Sequence, residues 1–175
     1  MISKEAVKRG YNRGNYTVGA PSQPGYAASL HGAALSGEPY FSSAAPAVVD
    51  AQTLALLAVA TDKVVTDPGL VRDGTRDWWA GTMIAETGGR PATPESVIVH
   101  VSTTEQVQAV MRIAGQASLP VTVSAGRSNV TGAALPVAGG IVLDVCGLDK
   151  FVSFDEDSQI LEVEAGVFGD IFEET

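Results

Sequence analysis

The feature that most constrains this 175-residue chain is a short unit in its second half. Val97-Ile98-Val99-His100-Val101 is β-rich and almost wholly apolar, which suits a strand covered on both faces. Ser102-Thr103-Thr104-Glu105 follows and reads as a capping box, with a hydroxyl at the N-cap and a carboxylate three residues on. Val107, Val110, Met111 and Ala114 then fall at helical spacing, so that helix buries one face. Leu119-Pro120 ends it, and Val121-Thr122-Val123 is a second strand. Strand, helix and strand within about 30 residues form a βαβ unit, which predicts parallel strands joined by a right-handed crossover. A loop of small and polar residues, Ser124 to Gly132, leaves the second strand directly. Open α/β sheets bind ligands at the carboxyl ends of their strands, so this loop is the first place to look for chemistry.

The rest of the chain is arranged around that unit. Gly140 to Val145 reads as a third strand. Phe151-Val152-Ser153-Phe154 and Ile160-Leu161-Glu162-Val163-Glu164 read as a hairpin around Asp155-Glu156-Asp157-Ser158. Upstream, Val48 to Ala60 reads as a helix capped by Asp50, with Leu54, Leu57 and Val59 apolar. Asp67-Pro68-Gly69 reads as a turn, and Gly88-Gly89-Arg90-Pro91 as a second break. Residues 1–45 are rich in Gly, Ser, Ala, Pro and Tyr, without a period. The expected organisation is an irregular extension over 1–45, a helical lead-in over 46–90 and an α/β domain over 91–175.

Charge and composition exclude several classes. A net charge of −9 argues against a nucleic-acid partner, because phosphate neutralisation needs clustered Lys and Arg. Nine of the 20 carboxylates lie between Asp149 and Thr175 and read as a solvated surface. The most apolar stretch, Leu54 to Ala60, is too short to span a bilayer. The N-terminus has no apolar segment behind its basic residues, so no secretory signal is read and a cytoplasmic location is expected. The single cysteine, Cys146, fits a reducing compartment.

The loop has the chemistry of an anion cradle. Ala125, Gly126 and Gly132 let backbone amides approach a ligand, and successive amides can form a concave anion site. Ser124, Ser128, Asn129 and Thr131 add side-chain donors. Arg127 adds a positive charge, and two roles stay open for it: pairing with a phosphate, or pointing to solvent. Two better-known phosphate motifs fail. Gly132 is followed by Ala133-Ala134, where a P-loop needs Lys and then Ser or Thr. No strand is followed by G-x-G-x-x-G, so a Rossmann dehydrogenase is not supported.

Three ordered elements carry a family resemblance. They are Ala125-Gly126-Arg127-Ser128-Asn129-Val130-Thr131-Gly132, then Gly139-Gly140-Ile141-Val142-Leu143-Asp144, then Val163-Glu164-Ala165-Gly166-Val167. From Pro91 to Glu174 the sequence resembles the N-terminal half of the FAD-binding domain of the vanillyl-alcohol oxidase family, also called the PCMH-type or FAD-linked oxidase group. Arg76-Asp77-Trp78-Trp79 resembles, more weakly, the lead-in of members near alkyldihydroxyacetonephosphate synthase and the 2-hydroxy-acid dehydrogenases.

The resemblance implies an α/β (α+β) fold, the first half of a two-subdomain FAD-binding domain with a small parallel sheet. It implies that Ser124, Ala125, Gly126, Arg127, Ser128, Asn129, Thr131 and Gly132 wrap the FAD pyrophosphate. Ala125 and Arg127 stand where family members often have glycine, so a slightly different backbone path is expected. Ser128 stands where some members carry a histidine bonded to flavin, which implies non-covalent FAD unless attachment comes from beyond this chain. The chain is expected to be an incomplete piece, inactive alone. Its catalytic residues and its small-molecule substrate would belong to a domain after Thr175, and oligomerisation stays open. The parent would oxidise a 2-hydroxy acid or similar alcohol by hydride transfer to FAD. Two alternatives stay open: an alkyldihydroxyacetonephosphate synthase-like flavoenzyme, and a non-catalytic remnant or interaction module with uncovered apolar sheet surface.

The remaining chemical residues take plainer readings. Cys146 reads as a small buried hydrophobe, with no basic neighbour to form a thiolate. His31 and His100 lack partners at metal-ligand spacing. Trp78 and Trp79 read as packing residues. Gly166 reads as a tight turn needing positive φ, near the cofactor in the family.

Overall fold

Alternation along the apolar strands sends successive side chains to opposite faces, and both faces are covered. Val97, Val99 and Val101 join Ile141, Leu143, Val145, Leu57, Val110 and Ala114 in one buried cluster. Ile98 and Val142 turn the other way and pack with Val65 and Val71. Each such side chain contributes about 1.5–3 kcal/mol on burial, so these two layers carry the fold.

A computed structural model describes residues 46–89 and 93–173. The expectations for 1–45, for His31, for Arg90-Pro91 and for Glu174 lie outside the described residues. In chain order the elements are α1 (Ala51–Ala60), β1 (Lys63–Val65), α2 (Pro68–Gly74), α3 (Ala80–Thr87), β2 (Ser96–His100) and α4 (Thr104–Ala117). They continue with β3 (Val121–Ser124), β4 (Gly140–Asp144), β5 (Phe151–Asp155), β6 (Ile160–Val163) and α5 (Gly169–Glu173).

The main sheet has the order β1-β2-β4-β3. β2 and β3 are parallel in direction, as expected of a βαβ unit, but they are not neighbours. β4 lies between them and pairs in parallel with both. β1 adds an antiparallel edge to β2, so the sheet is mixed rather than all parallel. Gly140 makes the insertion possible. Its φ is +81°, and a Cβ there would lie 2.5 Å from the Pro120 carbonyl oxygen. Only glycine tolerates both conditions.

Helix starts account for several differences from the expected elements. Asp50 caps α1 by accepting from the Thr53 amide at 2.7 Å, and this bond holds the exposed carboxyl below its ordinary pKa. Asp67 caps α2, accepting from Leu70 at 2.9 Å, so Asp67-Pro68-Gly69 begins a helix rather than forming a free turn. Proline is suited to a first helical turn, where its missing amide costs nothing. The capping box of α4 sits one residue later than expected. Thr103 accepts from the Gln106 amide at 3.3 Å, and Gln106 Oε1 accepts from the Ser102 amide at 2.7 Å. Gln106 Nε2 also donates to Asp62 at 2.7 Å, which ties α4 to the approach to β1.

β5 and β6 form a separate antiparallel hairpin, as expected. Phe154 is 56% exposed and Ile160 63%, so the hairpin presents apolar side chains to solvent. Among the described residues, no helix is long and apolar enough to cross a membrane.

The shifted box gives a direct check. Thr103→Ala should cost about 1 kcal/mol in urea unfolding. Ser102→Ala should cost less, because it keeps the 2.7 Å amide bond to Gln106 Oε1 and loses only the longer 3.4 Å hydroxyl bond to it. Equal losses would place the cap at Ser102 instead.

Candidate functional site

Parallel register brings three polar residues to one edge of the sheet. His100 ends β2, Asp144 ends β4 and Ser124 ends β3, with Asp144 directly between the other two. The ladder runs on past these residues: Val101 N–H donates to Asp144 O at 3.1 Å, and Val145 N–H to Ser124 O at 2.9 Å. The candidate loop leaves this edge.

Asp144 is 4% exposed, and a buried carboxylate needs compensation. Its Oδ1 accepts from the Cys146 amide at 3.0 Å. Its Oδ2 lies 3.6 Å from Arg127 Nη1 and 3.7 Å from His100 Nδ1. Cys146 is thus half-buried, with its amide in this network.

Arg127 does not point to solvent. Its guanidinium turns inward, where Nη1 donates to the Gly74 carbonyl at 2.5 Å, at the end of α2. The backbone of Arg127 has φ +52°, in the left-handed region. An arginine here therefore adopts a conformation that glycine reaches freely.

The other loop residues divide into inward and outward groups. Asn129 Oδ1 accepts from the Thr131 amide at 3.2 Å, the Thr131 hydroxyl at 3.3 Å and the Ala133 amide at 3.3 Å. Thr131 donors are thus engaged within the loop. Asn129 O accepts from the Trp78 amide at 3.0 Å. Gly132 has φ +80°, and a Cβ there would lie 3.3 Å from the Trp79 ring. The Trp78-Trp79 segment therefore packs on the loop. Ser128 and Val130 face solvent, while Ala125 and Gly126 are half-buried. The Ser124 hydroxyl is buried with no hydrogen-bond partner among the described residues, as are Asp77 Oδ2 and the Thr82 hydroxyl.

The third sequence element returns to the same place. A Cβ on Gly126 would lie 3.1 Å from the Phe168 ring. Gly166 does not have the positive φ expected of it. Smallness is what its position requires: a Cβ would lie 2.5 Å from Val145 O and 2.6 Å from Cys146 O. Phe168 and Gly74 were not legible as site residues, since neither belongs to a pattern of its own. Asp144 was visible only as the last residue of the β4 pattern.

Comparisons with known proteins agree on this region. Residues 94–175 match the profile of a family described as FAD binding domain. A D-lactate dehydrogenase of Anaerostipes hadrus is 30% identical over 76 residues, covering 43% of this chain and 16% of that protein. The 4-cresol dehydrogenase [hydroxylating] flavoprotein subunit of Pseudomonas putida is 36% identical over 81 residues, covering 45% of this chain and 16% of the subunit. A solved alkyldihydroxyacetonephosphate synthase aligns with a TM-score of 0.63 at 19% identity, over 77% of this chain and 27% of that one. The chain thus matches about a sixth to a quarter of the length of these relatives.

Asn129 organises the loop through a single oxygen, so Asn129→Ala should leave three donors without their acceptor. The expected loss is about 1–2 kcal/mol, with faster amide exchange at Thr131 and Ala133. Unchanged exchange at those two amides would show that the turn holds without Asn129.

Proposed function

We propose that this chain is the flavin-binding portion of an oxidoreductase of the PCMH-type, FAD-linked oxidase group, because residues 94–175 match the family described as FAD binding domain. The loop Ser124–Gly132 is the cradle for the cofactor's pyrophosphate. The observation that supports this best is the junction of three separate sequence elements. Gly126 meets Phe168, Val145 binds back to Ser124, and Gly166 lies against Val145 and Cys146.

The residues present fit the group. Ser124 holds an unpartnered buried hydroxyl at the root of the loop, and a phosphate oxygen would accept from such a donor. Ala125, Gly126 and Ser128 keep side chains small where a backbone would approach an anion. Asn129 Oδ1 and the Thr131 hydroxyl bond within the loop and shape the cradle. Ser128 stands at the position of histidyl attachment and has no nitrogen to form that bond, so FAD is held non-covalently unless a residue beyond this chain attaches it. FAD bound there would supply the two-electron acceptor for oxidation of a substrate alcohol by hydride transfer. The substrate proposed is a 2-hydroxy acid, by similarity to D-lactate dehydrogenase and to 2-hydroxyglutarate dehydrogenases. Residues that handle its proton would lie outside this chain.

A second reading, a module that does not bind flavin and acts through its surface, has one observation in its favour: the exposed apolar hairpin. Expression of this chain and of the longest open reading frame that contains it separates the two. The flavin reading expects a yellow protein from the longer product, released colourless on denaturation without flavin left on the polypeptide. A longer product that stays colourless after reconstitution with FAD would contradict it. In that longer protein, Gly126→Val should weaken FAD binding at least about tenfold, roughly 1.4 kcal/mol. A Cβ at Gly126 would already lie 3.1 Å from the Phe168 ring, so a branched side chain there would have to push that ring aside and reshape the loop. Full FAD occupancy in a folded Gly126→Val protein would remove Gly126 from the cradle.

A further inference from the structure

We propose that Arg127 is a positioning residue that sets the shape of the loop, by bridging the end of α2 to the buried carboxylate of Asp144. The consequence for cofactor affinity rests on the FAD reading above; the bridge itself does not.

The inference starts from backbone conformation. A left-handed φ of +52° is unfavourable for a residue with a Cβ, so something must hold Arg127 there. Glycine would take the same conformation without being held. The side chain supplies the restraint. Its side chain is 15% exposed, its Nη1 donates to Gly74 O at 2.5 Å, and the same nitrogen lies 3.6 Å from Asp144 Oδ2. The two anchors are 53 and 17 residues away in sequence, so the bridge ties the loop to two separate elements.

The surroundings are built to admit it. Gly74 offers its carbonyl at a point where a Cβ would run into the end of the Ile98 side chain, so glycine lets α2 lie close to the sheet without moving Ile98. Asp144 in turn is held by the Cys146 amide. Arg127, 3.6 Å away, offsets its charge, which matters beside a loop meant for an anion. Arg127 thus does two things through other groups: it fixes the backbone of the cradle and neutralises the carboxylate under it.

The test uses Arg127→Met, which keeps the stem and removes every donor, Arg127→Gly, which relieves the backbone, and Arg127→Lys, which restores a charged donor. Two readouts are taken. One is amide exchange of residues 125–132 in this chain without added ligand. The other is FAD affinity of the longest open reading frame containing it. Arg127→Met and Arg127→Gly should speed exchange in the loop at least tenfold while the α4 amides change little. They should also weaken FAD binding at least tenfold. Arg127→Lys should recover most of both. Asp144→Asn should speed exchange in the same loop, and combining it with Arg127→Met should add little, because both remove one bridge. If Arg127→Met or Arg127→Gly fails to fold, Arg127→Lys and Asp144→Asn decide by the same readouts. Wild-type exchange in Arg127→Met, exchange raised equally throughout the chain, or full additivity with Asp144→Asn would each overturn the proposal. Failure of the wild-type protein to bind FAD would contradict the flavin reading while the exchange results still decide the bridge.

Discussion

The parallel ladders that β4 makes with β2 and β3 bring this chain's polar residues together. Side chains far apart in sequence, His100, Ser124 and Asp144, become neighbours because β4 lies in register with both strands. Two glycines permit that seating: Gly140 passes close to Pro120, and Gly139 close to Ala47. A shift of one residue in β4 would exchange its two faces. Ile141 and Leu143 would leave the α1/α4 layer, and Asp144 would leave the site. Packing and chemistry therefore depend on the same register.

Much of this was readable along the chain where the cause is local. Short, nearly continuous apolar runs predicted the strands of the main sheet, helical spacing predicted α4, and the turn residues Asp155 to Ser158 predicted the hairpin. The capping box was displaced by one residue because Ser102 and Thr103 both carry hydroxyls, and Gln106 serves as well as Glu105. α3 escaped notice because Trp79 precedes it without any side-chain cap, so its start leaves no sequence signal. β1 has three residues and owes its existence to an antiparallel partner, Ser96–His100, far along the chain. The loop was found by composition and by resemblance. Its internal wiring was not, because that wiring is long-range: Trp78 to Asn129, Arg127 to Gly74, Gly126 to Phe168.

The site's burial pattern has an energetic logic. Burying Asp144 beneath the loop is unfavourable unless neighbours compensate it, and Arg127, His100 and the Cys146 amide surround it. The buried hydroxyls of Ser124 and Thr82 and one oxygen of Asp77 lack partners among the described residues, on the elements that flank the loop. Such groups each cost about 1–3 kcal/mol when left unsatisfied, a burden that functional sites carry more often than cores do. The exposed apolar residues of β5 and β6 sit on a hairpin that pairs with itself and, among the described residues, make no side-chain bond to Asp144, Arg127 or His100.

The central claim is that Ser124 to Gly132 receives a diphosphate. Amide chemical shifts recorded during titration with FAD test it residue by residue, in the longest protein that contains this chain. The account predicts the largest changes at Ser124, Ala125, Gly126 and Ser128, smaller ones at Thr131 and Gly132, and little change in β5 and β6. Saturable FAD binding with those loop amides unmoved, and changes centred elsewhere, would contradict it.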